Sequence, residues 1–134
     1  MNYWLIKSEP ATYSWDDFVK LGRDHWDGVR NYQARNNMKE MKKDDQVLFY
    51  HSGDERAVVG TAQVAKEFYP DPTIDDDRWV AVELMAGKKL TKPVTLVDIK
   101  SDKRLSEIHL VKNSRLSVMP LKKAEYDMIL EKSI

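Results

Sequence analysis

The chain has 134 residues, 22 basic and 22 acidic side chains, and no cysteine. That length suits one domain with a real core, expected to span residues 1–134, and a hydrophobic fraction of 42% argues against disorder. Zero net charge is at odds with a general phosphate-backbone binder, the missing thiols exclude disulfides and thiolate metal sites, and no apolar run approaches the roughly 20 residues of a membrane span.

Tyr3-Trp4-Leu5-Ile6 is a continuous apolar run and reads as a buried strand. Ser14-Trp15-Asp16-Asp17 has the capping-box pattern, which predicts a short helix with Phe18 and Leu21 on one face and Gly22 as its stop. Asn37 followed by Glu40 predicts the start of a second helix carrying Met38 and Met41. Lys43-Asp44-Asp45 turns the chain into a strand over Gln46-Val47-Leu48-Phe49-Tyr50. Ala57 to Phe68 is β-rich, with Gly60 marking a bulge or a close approach of backbone.

A loop follows from Tyr69 through the acidic run Asp75-Asp76-Asp77. Val80, Val82 and Leu84 then alternate as a half-buried strand. Pro93 opens a segment in which Val94, Leu96, Val97 and Ile99 suit a short helix, and Leu105, Ile108, Leu110 and Val111 suit another. Arg115 to Met119 reads as the last strand, closed by Pro120, before a terminal helix with Leu121, Ala124, Met128 and Ile129 on one face. Short strands joined by small helices, without repeats or linkers, indicate an α+β fold around a mostly antiparallel barrel or strongly curved sheet.

The segment Trp26 to Asn37 stands apart. It holds two aromatics, two arginines and four side-chain amides, and its apolar residues follow neither a strand nor a helix period. Amides read donor and acceptor edges, rings stack, and arginines pair with phosphate or stack, so the set suits a planar polar ligand such as a nucleobase. The plainer reading is a polar loop in which asparagines cap and turn the backbone. Charge is uneven: residues 51–87 carry three basic and eight acidic side chains, and residues 88–134 carry eleven basic and six acidic. A binding surface is therefore expected on the more basic side, with Lys88, Lys89, Lys92, Lys100, Lys103, Arg104, Lys112 and Arg115 as a source of positive charge.

Four blocks, Tyr3 to Pro10, Trp26 to Asn37, Phe49-Tyr50-His51-Ser52 and Arg115-Leu116-Ser117-Val118, resemble the EVE domain family, a branch of the PUA-like barrels related to the YTH readers of methylated adenine. The resemblance spans nearly the whole chain. It implies a pseudo-barrel of five or six mostly antiparallel strands with short helices packed outside, and a concave aromatic pocket for a modified nucleobase, often a modified cytosine in DNA. Asp44 stands where many relatives carry glycine in a turn; aspartate tolerates left-handed backbone, so the fold is expected to be unchanged.

By that resemblance Ser8 would hydrogen-bond a base edge and Lys7 would lie near phosphate, against the plainer reading of Lys7 and Glu9 as a surface pair. Tyr13, Trp15 and Trp26 are each a cage wall or a core anchor. Trp15 suits the core and Trp26, beside the polar block, suits stacking. Asn31 and Gln33 offer paired donors and acceptors, Asn36 and Asn37 suit backbone caps, and Arg30 and Arg35 are either phosphate contacts or bridges to loop carbonyls. His51 suits a pocket hydrogen-bonder, and Arg115 and Ser117 would reach the same mouth by resemblance. No histidine cluster has metal-ligand spacing, and no nucleophile elbow or phosphate loop occurs.

The expected function is a non-catalytic module that flips a modified base, a modified cytosine in DNA above others, into an aromatic pocket. The alternative is a small amidohydrolase-like enzyme acting on a modified nucleoside or base through Lys7, Ser8 and Glu9, with His51 as a further member of the set, although neighbouring strand residues face opposite ways. A protein-interaction module without a ligand would show an exposed apolar patch, and none stands out. No cofactor, metal or membrane partner is expected, the partner being nucleic acid, and a cytoplasmic monomer is the expected form.

Overall fold

The computed structural model describes all residues from Met1 to Ile134. Six strands, β1 (Tyr3–Ser8), β2 (Arg23–Trp26), β3 (Gln46–His51), β4 (Ala57–Pro70), β5 (Val80–Thr95) and β6 (Val118–Leu121), form one sheet in the order β2-β5-β4-β3-β1-β6. Five helices, α1 (Trp15–Leu21), α2 (Tyr32–Glu40), α3 (Leu96–Lys100), α4 (His109–Lys112) and α5 (Lys123–Glu131), surround it, with a 3-10 turn at Lys103–Leu105. The α+β, mostly antiparallel architecture is as expected, with one parallel pair, β1 with β3. β2 and β6, the two edges, do not pair, so the sheet is open and not a closed barrel.

Local chemistry accounts for most elements. Ser14 Oγ accepts from the Asp17 N–H at 3.1 Å while Asp17 Oδ2 accepts from the Ser14 N–H at 2.9 Å, a full capping box that starts α1. Gly22 closes that helix at φ 73°. The parallel pairing of β1 and β3 is fastened by buried Asp45, which accepts from the Asn2 N–H, the Trp4 indole N–H and the Lys42 N–H. Bulges interrupt the β3/β4 pair at Phe49/Tyr50 and the β4/β5 pair at four places, and bulges bend and twist strands. Gly60 lies beside two of them. A Cβ there would stand 2.4 Å from the Trp15 ring, so strand β4 and the core indole touch only because residue 60 is glycine.

The core is a continuous cluster that includes Trp4, Leu5, Ile6, Trp15, Phe18, Phe49 and Leu84. Trp15 is buried, as its position on the capped helix suggested, and its ring meets Phe18 and Phe49 edge-on.

Several sequence expectations are corrected. α2 begins at Tyr32, not near Asn37, and Met41 caps its end. Leu21 is 61% exposed, so α1 buries Trp15 and Phe18 instead of a Phe18/Leu21 face. β5 runs on through Pro93 to Thr95, whose side chain caps α3. The last strand is Val118–Leu121 and contains Pro120, which pairs opposite Trp4 on an edge strand, where a missing N–H costs no ladder bond. Leu121 therefore belongs to β6, and α5 buries Tyr126 and Ile129. No helix is long and apolar enough to cross a membrane.

Candidate functional site

A cavity of about 560 Å³ opens between the C-terminal end of β1 and the C-terminal end of β2. One wall is the end of β1 (Lys7, Ser8) with Glu9, Thr12, Tyr13 and Ser117; the other is the end of β2 (Asp24, His25, Trp26) with the following turn, Asp27 to Arg30. Strands β1 and β2 are far apart in sheet order, so the cavity is lined by parts of the sheet that are not hydrogen-bonded neighbours. Its volume lies within the range of roughly 300–1,000 Å³ usual for small-ligand sites.

Trp26 is half-buried. Its ring meets Tyr13, Phe18 and Phe49 edge-on, with centroids at 6.0, 6.4 and 5.7 Å, so the indole is anchored in the core and borders the cavity. Tyr13 donates its hydroxyl to Asp24 Oδ2 at 2.6 Å; burial first, and then that carboxylate, hold the phenol protonated well above its ordinary range. Ser8 Oγ donates to the Tyr13 carbonyl, which fixes the start of the α1 connection against β1. Lys7 Nζ donates to the Ser114 carbonyl at 2.8 Å and sits 6.0 Å from the Tyr50 ring centre, and burial lowers its pKa. Ser117 accepts the Lys7 N–H through its carbonyl.

Arg30 is a structural bridge within the wall. Its Nη1 donates to Asp71 Oδ2 at 2.9 Å and to the Val29 carbonyl, and its guanidinium lies 5.6 Å from the Trp79 ring centre. Asp71 is buried and also accepts from the Gly28 N–H and from the N–H and hydroxyl of Thr73. Burial works to raise its pKa, but those donors win and hold it well below the ordinary carboxylate range.

Five other candidates lie away from the cavity. Asn31 is the N-cap of α2, its Oδ1 accepting from the Ala34 N–H at 2.9 Å. Gln33 is exposed and accepts from Asn113 Nδ2. Arg35 Nη1 donates to the Arg78 carbonyl, and its guanidinium stacks 5.0 Å from the Tyr32 ring centre. His51 is buried behind the cavity. Its Nε2 accepts from the Trp15 N–H at 2.9 Å, so the proton sits on Nδ1, which donates to Glu55. Arg115 is exposed and makes no hydrogen bond or ion pair; it belongs to the 114–117 turn that carries Ser117. Asn37, expected as a cap, instead donates from Nδ2 to the Val118 carbonyl and ties α2 to β6.

The polar block thus divides. Trp26 to Arg30 builds the cavity wall, while Asn31 to Asn37 is a capped helix. Reasoning from sequence missed Asp24, Asp27, Gly28 and Asp71. The first three lie in or beside the block it had singled out, but Asp71 gave no local signal. The hydrolase set is not assembled: Ser8 gives its proton to a backbone carbonyl, Lys7 is turned to Ser114, and both nitrogens of His51 are engaged by other groups.

The chain is 33% identical to thymocyte nuclear protein 1 of Mus musculus, over 96% of this chain and 72% of that protein. A crystal structure of a protein from Agrobacterium tumefaciens superposes with TM-score 0.95 at 41% identity, covering 99% of this chain and 93% of the other. Human THYN1, crystallised in complex with 5-methylcytosine-containing DNA, superposes with TM-score 0.94 at 29% identity, covering 99% and 98%. At the level of fold alone, a YTH domain of Zygosaccharomyces rouxii superposes with TM-score 0.62 at 16% identity, covering 98% and 86%. The EVE domain model matches residues 2–132, and the chain belongs to the EVE domain family.

Proposed function

We propose that this protein is a non-catalytic reader that draws a modified base, a modified cytosine in DNA, out of the stack and holds it in the cavity between β1 and β2. The observation that carries this reading is the make-up of the wall: the core-anchored indole of Trp26 stands beside polar groups fixed by their own hydrogen bonds. A flat aromatic face and edge-reading groups on one small cavity are what a flipped base needs. Three carboxylates, Glu9, Asp24 and Asp27, also line the space, while the ammonium of Lys7 and the guanidinium of Arg30 are engaged elsewhere. Such an interior repels phosphate and suits a neutral base. The human relative's complex with 5-methylcytosine-containing DNA supports the same reading.

The test is a binding titration at fixed, near-physiological salt against short duplexes that each carry one modified cytosine or adenine. Selective binding of one modification is expected. Trp26→Ala should weaken it about tenfold to a hundredfold, since stacking on a base is worth roughly 1–3 kcal/mol. Thermal unfolding of the variant separates lost stacking from a damaged core. Uniformly absent binding by the native protein across the panel overturns the reading.

A further inference from the structure

Among the carboxylates lining the cavity, Asp27 alone receives no hydrogen bond from another residue. Asp24 accepts from the Tyr13 hydroxyl at 2.6 Å and from the His25 N–H at 2.8 Å. Glu9 accepts from the Ala11 N–H at 3.2 Å, and its Oε2 lies against Gly53, where an added Cβ would stand 2.5 Å away. Asp71, behind the wall, is surrounded by donors. At Asp27 the neighbouring donor is its own backbone N–H. It lines the same cavity as the Trp26 indole and lies just past the end of β2, at the start of the turn that forms this wall.

We propose that Asp27 reads the exocyclic amino group of the flipped base, making the cavity selective for an amino-bearing edge over an oxo edge. This rests on the reader function above. The chemistry is that of acceptor facing donor: a carboxylate accepts from the N4 amino group of cytosine, as acidic side chains do at cytosine in DNA grooves. Set against the O4 carbonyl of thymine, the same oxygen meets lone pairs. Burial, and then the negative charges of Asp71 and Asp24, raise the Asp27 pKa, while His25 and its own N–H act the other way. Asp27 is exposed and solvated in the free protein; a donor from the ligand would take the place of that water, whereas a second acceptor would leave the carboxylate desolvated and unpaired.

Thymine provides a clean comparison because it carries the same 5-methyl group as 5-methylcytosine and differs on the edge in question. Native protein, Asp27→Asn and Trp26→Ala are titrated against two duplexes, one with 5-methylcytosine and one with thymine, each opposite an abasic site so that pairing strength does not intervene. Native protein should prefer 5-methylcytosine by roughly tenfold or more, the usual scale of discrimination for a well-placed base contact. Asp27→Asn, nearly the same shape, can turn its NH₂ to O4 of thymine or its Oδ1 to N4 of cytosine; the preference should vanish, with affinity for thymine rising and the melting temperature unchanged. A merely structural Asp27 would move both affinities together. Native binding to both bases with equal strength, or an Asp27→Asn variant that keeps the native preference, overturns the inference and leaves the reader function standing. No binding of either base by native protein overturns the reader function itself.

Discussion

Asp71 organises the cavity wall without touching the cavity. Its side chain is 0% exposed and joins the turn at Gly28 and Arg30 to the loop at Thr73 through donors at 2.6–2.9 Å. Arg30, which the sequence left open between phosphate contact and bridge, is the bridge. Removing one partner of a buried charged pair costs about 3–5 kcal/mol, and Arg30 is 36% exposed, so Asp71→Asn should cost about 2–3 kcal/mol in urea unfolding. The pH dependence has a definite sign. Because the native pKa lies below the ordinary 3.8, the unfolded state binds protons first as the pH falls. The stabilisation is complete above the ordinary carboxylate range and is lost below it, toward the depressed native value. Urea unfolding at pH 7 and near pH 3 should show native protein losing more of this stability than Asp71→Asn, which has no proton to gain there.

Helix α2 explains why half of the most conspicuous sequence segment has no place in the cavity. Asn31 and Asn37 both have the chemistry of a cap, and Glu40 three residues after Asn37 drew the predicted start late. What decides the matter is nonlocal: Asn37 reaches β6 at Val118, and Asn31 is left to bond the Ala34 N–H. Asn31→Ala should therefore cost about 1 kcal/mol of stability, read from chemical unfolding, while leaving base affinity unchanged. A large loss of affinity at unchanged stability would instead give Asn31 a ligand role. Gly60 was legible, since an isolated glycine in a strand pattern signals a bulge or close approach, and it has both. The colliding atoms belong to a buried indole that cannot swing aside, so Gly60→Ala should cost about 1–3 kcal/mol, seen as a lowered melting temperature. The ends of elements were read less well. Pro93 lies within β5 and Pro120 within β6, because edge position and bulges, not composition, determine where proline is tolerated.

The whole molecule places its site where sequence order says least. Strand alternation and capping made the α+β class and most strands legible, but the cavity joins residue 8 to residue 27 across a sheet in which β1 and β2 are not neighbours. Only the curl of the bulged strands brings them together, and no spacing in the chain encodes that. Charge distribution follows the same logic. The chain has no net charge, and of the cations that line the cavity Lys7 is bonded to Ser114 and Arg30 to Asp71, while Arg115, in the turn that carries Ser117, has no partner. A reader built this way takes little of its affinity from phosphates. Each neutralised phosphate contributes about 0.9 to the slope of log K against log salt, so the native slope should not exceed about 3 in magnitude. Arg115→Ala should lower that slope by about 1 and weaken all sequences alike, with the preference among bases intact. A steep native slope would move most of the binding energy from the cavity to the basic C-terminal third. An Arg115→Ala variant with altered base preference would place that guanidinium on the base instead of the backbone.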